Sequence, residues 1–190
     1  MVGRSDPEFS LVSEQLLHSG YAFDLYSTSW VDGSGEVFER DIVRHRGAVA
    51  VVPLTDDQAH VLLVRQFRTP LNAWLLELPA GLRDKEGESE FETARRELEE
   101  EVWCVSENLE HLVTLATAVG FTDEAISIFL ARGLTWTTRR ADGVEEESMT
   151  VEKIPLADVE RMIADGEITD AKTVAGLLLA QQKLALRSDG

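Results

Sequence analysis

At 190 residues, 44% of them apolar, the chain is long enough for one domain with a small appendage and a sizeable core. Its 35 Asp and Glu against 18 Lys and Arg leave a net charge of −17, which argues against nucleic acid and anionic membrane partners, since both are bound through Lys and Arg. A single cysteine, Cys104, excludes an internal disulfide and a Cys-rich zinc site, and no apolar run approaches the roughly 20 residues of a spanning helix. The opening "MVGRSDPEFS" lacks the apolar core of a signal peptide, so the expected setting is the reducing cytoplasm.

Residues 1–8 are polar and expected to fray. From Phe9 to Arg46 the pattern is mostly β, with "YAFDLYSTSWV" and "EVFERDIVRHR" flanking the turn signal "DGSG". The continuous apolar run at 47–54 predicts a buried strand, with "HVLLVRQFR" (60–68) returning after the polar turn "TDDQA". "WLLELPAG" (74–81) is a further strand followed by a break. After an acidic helix come β-like runs at 111–119 and 125–134, a polar loop at 137–148 and a strand at 149–156. Helices near 156–165 and 169–187 close the chain. Strands mixed with three helices predict an α/β sandwich, with a β-rich N-terminal domain (1–46) ahead of the main domain (47–190).

The acidic helix is the most informative element. Ser89 followed three residues later by Glu92 is a capping box, which places the start at about Glu90. At about 100° per residue, Phe91, Ala94, Leu98 and Val102 share the stripe that faces the core. Glu97, Glu100 and Glu101 stand at i, i+3 and i+4, so their carboxylates converge on one patch beside that stripe. A bare E-x-x-E-E reads most simply as a solvated acidic face. Converging carboxylates also suit a hard divalent cation such as Mg²⁺, which takes oxygen ligands and is often shared with substrate phosphates.

The surroundings of this helix resemble the Nudix box, G-x5-E-x7-R-E-U-x-E-E-x-G-U with U apolar. Gly81, Glu88, Arg96, Glu97, Leu98, Glu100, Glu101 and Cys104 fill its positions. Two positions depart from the pattern: six residues separate Gly81 from Glu88, and Trp103 stands where the pattern has Gly. A Gly there lets the chain leave the helix at positive φ, which Trp cannot do cheaply. Outside the box, "VRQFR", "WLLELPAG", "AVGFTDE" and "GEITDAKTVAGLLLA" are similar to the ADP-ribose pyrophosphatase branch, as are "HSGYAFDLY" and "ERDIVRHRGAVAVV". The likeness spans roughly residues 10–187.

The resemblance implies a Nudix α/β/α sandwich with a mixed sheet, and a homodimer that exchanges its N-terminal β domains. It implies Mg²⁺, with Mn²⁺ as the alternative, on Glu97, Glu100, Glu101 and the carbonyl of Ala80, with Arg96 holding the box carboxylates. Arg68 would contact a phosphate or ribose, Gly120 would let the backbone approach the substrate, and Arg40 and Asp41 would reach it near the dimer boundary. Tyr21 would stack on adenine. The catalytic base would be one of Glu145, Glu146 and Glu147, with the count back from the next strand favouring the last two. Simpler readings stand beside these: Tyr21 as a packed strand aromatic, and Arg68 as an exposed strand-end charge. Cys104 reads as core.

The implied reaction is hydrolysis of the pyrophosphate bond of a nucleoside diphosphate sugar, ADP-ribose giving AMP and ribose 5-phosphate. Val119 stands where this branch usually carries a Pro that marks ADP-ribose preference, so a GDP-mannose or UDP-sugar hydrolase is the alternative. An idle domain that senses an ADP-ribose-like ligand is a third reading, against which the intact glutamates stand.

Overall fold

A computed structural model describes residues 8–138 and 148–188. The expected fraying of the first residues, and the three glutamates from which the base was to come, therefore lie outside the described residues.

The chain forms two compact units, one of residues 1–47 with 116–125 and one of 48–115 with 126–190. The first is an antiparallel three-stranded sheet, β1 (Phe9–Ser19), β2 (Phe23–Asp32) and β3 (Val37–His45), in that order. The turn between β2 and β3 is set by Asp32, whose Oδ1 accepts from the amides of Ser34 and Glu36 at 2.9 and 2.8 Å, while Gly35 supplies φ 90°. The segment 116–125 joins this unit through a parallel bridge between Val43 and Thr122 and through the Asp123 carboxylate, which accepts from the His45 amide at 2.8 Å. Nothing in its local pattern indicates that allegiance.

The second unit is built on β4 (Ala48–Pro53) and β10 (Ala125–Arg132), paired in parallel, with β7 (Ala80–Leu82) antiparallel to β4 and β9 (Asn108–Ala116) at the far edge. A second sheet runs β12 (Thr150–Pro155), β5 (His60–Arg68), β6 (Ala73–Glu77), and β8 (Cys104–Val105) pairs with β11 (Thr135–Trp136). The sheet is thus mixed, as expected. The run read as one strand at 74–81 is two, because Pro79 cannot donate to a ladder and the chain breaks there.

Strand periodicity decides the layering. On β4, Val49 and Val51 join a core with Ala94, Leu98 and Val102 of α1 (Glu90–Val102). Ala50 and Val52 face the opposite core, with Val159 and Met162 of α2 (Val159–Ala164) and Leu177 and Ala180 of α3 (Ala171–Ser188). β5 and β10 alternate in the same way, giving helices on both faces. Burial of a leucine such as Leu98 or Leu177 stabilises this sandwich by about 2–3 kcal/mol. The helix after β12 begins later than its pattern suggests, since Leu156–Asp158 forms a 3-10 turn first.

Helix α1 starts as expected. Ser89 Oγ accepts from the Glu92 amide and the Glu92 carboxylate accepts from the Ser89 amide, which completes the capping box. Phe91 departs from the expected stripe: it is 39% exposed, at the edge of the core, with its ring edge-on to Phe129. Trp103 does take the left-handed conformation the box assigns to glycine, at φ 57°, ψ 35°, with its amide donating to the Leu98 carbonyl. That conformation costs a non-glycine residue roughly 1–2 kcal/mol. The termination of α1 is preserved at that cost, and Cys104 follows directly into the core.

Candidate active site

The C-terminal half of α1 lies against β7 and β4, and this contact concentrates charge. Arg96 is the organiser. Its Nη1 donates to Glu97 Oε1 at 2.6 Å and to Glu100 Oε2 at 2.9 Å, and its Nε and Nη2 each reach the Glu88 carboxylate at 3.3 Å. A fifth bond, 3.4 Å, goes from Nη2 to the Leu82 carbonyl. Burial works against the Arg96 charge, yet Glu88, Glu97 and Glu100 hold its pKa above the ordinary arginine value. Three of the four acids of the box and its one base thus form a single ion cluster beside β7.

Glu97 and Glu101 are both buried, which is unusual for carboxylates without full pairing. Glu97 packs so closely on β7 that a side chain at Gly81 would displace it: a Cβ there would lie 2.0 Å from Glu97 Oε1. This explains why the box opens on glycine, since Gly81 has an ordinary φ and is needed for space. Glu101 Oε2 accepts from the Ala80 amide at 2.9 Å. Burial pushes its carboxyl up to about 8, and the charge of Glu97 adds to the rise, against the Ala80 amide, Arg68 and Lys172.

A divalent cation fits the chemistry of this donor set. Glu97 and Glu101 are both buried, and each stands close enough to the other for the charge of Glu97 to raise the Glu101 carboxyl, a strain that a cation would relieve. Among the described residues, however, no three His, Cys, Asp or Glu side chains stand close enough to enclose an ion by themselves. Arg96 bonds both Glu97 and Glu100, and Glu100 is the less buried of these two expected ligands. The pair Glu97 and Glu101 is therefore the centre of the candidate site.

Arg68, expected to meet a phosphate or stand as an exposed strand-end charge, is held by a carboxylate and keeps part of its side chain exposed. Its Nε and Nη2 donate to Glu77 Oε1 and Oε2 at 2.7 and 2.8 Å. Glu77, at 1% exposure, also takes Lys172 Nζ, and burial of Glu77 is outweighed by these two cations, which hold its pKa below the carboxylate range. Sequence reasoning assigned no role to Glu77, Asp170, Lys172 or Thr173. The available signal was an acid in the otherwise apolar run "WLLEL".

In the N-terminal unit Tyr21 lies between β1 and β2, on neither strand, and is 73% exposed, so it is no packed strand aromatic. Arg40 and Asp41 are exposed on β3, and the Arg40 guanidinium lies 4.9 Å from the centre of the Phe38 ring. Gly120 is exposed between Val119 and Phe121, with open space where a Cβ would project.

Comparison with known proteins gives the family of this chain. Residues 44–177 match the family model described as the NUDIX domain. The chain is 35% identical over 181 residues to an ADP-ribose pyrophosphatase of Bacillus subtilis (strain 168), covering 95% of this chain and 97% of that protein. It is 38% identical over 174 residues to an ADP-ribose pyrophosphatase of Mycobacterium tuberculosis, covering 92% and 84% of the two chains. Among solved structures, an ADP compounds hydrolase superposes with a TM-score of 0.81 at 26% identity over 97% of this chain and 98% of that one.

Proposed function

The chain belongs to the Nudix family, and we propose that, as a pyrophosphatase, it hydrolyses a nucleoside diphosphate sugar, foremost ADP-ribose to AMP and ribose 5-phosphate. The observation that carries this reading is the buried Glu97 and Glu101 pair at the end of α1, a negative site suited to a cation that a diphosphate can share. The name ADP-ribose pyrophosphatase, borne by both relatives, supports the choice of substrate.

Hydrolases of this family depend in general on a divalent cation. Mg²⁺ is our proposal, with Mn²⁺ as the alternative, held by Glu97 and Glu101 and completed by Glu100 and the Ala80 carbonyl. When bound, the cation lowers the pKa of a coordinated water and offsets charge that develops on the diphosphate. Arg96 keeps Glu97 and Glu100 in place. Glu146 or Glu147, with Glu145 as the third candidate, orients the attacking water and takes its proton as the bond between phosphorus and the bridging oxygen breaks. Tyr21 offers an exposed π face to the adenine, and Arg40, Asp41 and Gly120 contact the rest of the substrate.

Stacking on an aromatic contributes about 1–3 kcal/mol with little selectivity among bases. A panel of nucleotide sugars therefore tests the substrate. The expected kcat/KM for ADP-ribose exceeds that for UDP-glucose and GDP-mannose by at least about tenfold, a margin within reach of pocket contacts. Tyr21→Ala is expected to raise KM more than it lowers kcat, because the base does not react. Better turnover of a GDP- or UDP-sugar would overturn the substrate and leave the reaction class standing.

We further propose a cytoplasmic homodimer formed through residues 1–46. Strand β1 is exposed along its whole length and carries Phe9, Leu11, Val12, Leu16 and Leu17 at an open sheet edge. Such an edge invites pairing with another chain. Light scattering at micromolar concentration is expected to give the mass of two chains. A fully active monomer would contradict the proposal. The cytoplasmic setting rests on the lone thiol, Cys104, which burial pushes up to about 11 and so keeps unreactive. No helix among the described residues is long and apolar enough to cross a membrane.

A further inference from the structure

Glu77 is met by two cations where one would neutralise it. Arg68 approaches from the end of β5 and Lys172 from the first turn of α3. Lys172 Nζ also donates to Asp170 Oδ2 at 2.9 Å, and the same oxygen accepts from the Thr173 amide at 3.0 Å and from Thr173 Oγ1 at 2.6 Å. Thr173 Oγ1 in turn accepts from the Leu78 amide at 2.9 Å. The start of α3 is thereby tied to Glu77 and Leu78, three and two residues before Ala80. These ties span 95 residues of sequence.

The bidentate bond uses Nε and Nη2 of Arg68 and fixes the guanidinium in plane. Nη1 enters no hydrogen bond among the described residues, and the side chain keeps 37% exposure although its partner Glu77 has 1%. One edge of the guanidinium therefore stays open to solvent while the carboxylate that holds it is enclosed. Arg68 and Lys172 also act on the charge of Glu101, so the clamp stands within the field of the carboxylate pair.

We propose that Glu77 and Lys172 are positioning residues for the substrate: they pin Arg68 so that its free Nη1 edge faces an oxyanion of the bound diphosphate. This rests on the pyrophosphatase reading above. Lys172 matters because a single arginine on a buried carboxylate can move with it, whereas a second ionic bond from α3 fixes the carboxylate and hence the arginine.

The test is a double-mutant cycle of Lys172→Met and Arg68→Met. It is read as the Kd of the methylene-bridged analogue of ADP-ribose by calorimetry in EDTA, with inorganic pyrophosphate measured alongside. KM and kcat with Mg²⁺, and Tm, are measured for all four proteins. Lys172→Met alone is expected to weaken binding about tenfold, with the loss falling on KM more than on kcat. In the Arg68→Met background the same change should alter Kd by less than about twofold, because residues that act through one another are not additive. An equal loss in both backgrounds, or no loss in the wild-type background, overturns the positioning role whatever happens to Tm. Should Lys172→Met fail to fold, Glu77→Gln takes its place in the cycle with the same expectation. A wild-type protein that binds pyrophosphate but neither binds the analogue nor hydrolyses ADP-ribose refutes the functional reading, and the cycle is then decided on pyrophosphate.

Discussion

Glu101→Gln is expected to lower kcat by at least about 10²-fold and, in the same protein freed of metal, to raise Tm. The two effects share one cause. Glu101 is buried beside Glu97, and both its burial and that neighbour push its carboxyl up to about 8, from an ordinary value of 4.5. Between those two values the folded protein keeps a proton that the unfolded chain has released. The stability of the metal-free protein therefore falls as pH rises from about 4.5 to about 8 and levels off above it. Glutamine has the same size, accepts the Ala80 amide as well, and carries no charge to desolvate. Its advantage should be small near pH 4.5, grow to on the order of 1–3 kcal/mol by pH 8, and then remain constant. A cation reverses the order: it ionises Glu101, releases a proton below about pH 8, and stabilises the wild type but not the variant. Thermal melts in EDTA and in Mg²⁺ across this pH range, with initial rates on ADP-ribose, measure all of this. Glu97→Gln should show the same loss of rate. Near-normal turnover in both variants would sink the metal assignment, and a Tm difference that does not change with pH would remove its electrostatic explanation.

What the sequence disclosed here follows the range over which each interaction acts. The start of α1 was legible because a capping box is written within four residues, and Ser89 and Glu92 form it. The buried strands β4 and β5 were legible from continuous apolar runs, because both of their faces are covered by helices or by the second sheet. Strand β1 offered no such pattern, since its apolar residues fall on both faces and all are exposed. Phe91 has the right helical phase for the core but sits in the first turn, at the rim, where phase alone does not ensure cover. The site divides in the same manner. Spacing brought Glu97, Glu100 and Glu101 to one patch, but a bare acidic spacing equally describes a solvated face, and the likeness to the Nudix box assigned the chemistry. The clamp on Arg68 was out of reach, because Lys172 lies 95 residues from Glu77 and neither residue has a local reason to find the other. The same holds for the membership of residues 116–125 in the N-terminal unit, which depends on a bridge to Val43.

Gly81→Ala is expected to separate activity from stability more sharply than any change to a charged group. The position has an ordinary φ, so alanine meets no backbone strain there. A Cβ would lie 2.0, 2.1 and 2.4 Å from Oε1, Cδ and Oε2 of Glu97, and something must move. The atoms in the way are the far end of a flexible side chain, so the carboxylate gives way and the fold does not. Glu97 then leaves β7, its bond to Arg96 is disturbed, and the pair with Glu101 opens. Misplacement of a catalytic group by about 1 Å can lower a rate about 10²-fold, and a loss of that order is expected here with Tm changed by only a few degrees. Gly176→Ala provides the contrast. Its Cβ would lie 2.7 Å from Leu78 Cδ1, 3.2 Å from Ile128 Cγ2 and 3.3 Å from Val52 Cγ2, all within the core. Overpacking of that kind destabilises by about 1–3 kcal/mol and leaves the carboxylates where they are, so Tm should fall while kcat is largely kept. Matched melts and initial rates on the two variants check both halves. If Gly81→Ala retains full activity, Glu97 does not need its seat on β7, and the close packing at the start of the box has no part in the reaction. If both variants lose activity only in proportion to lost fold, the distinction between seating a carboxylate and packing the core fails with it.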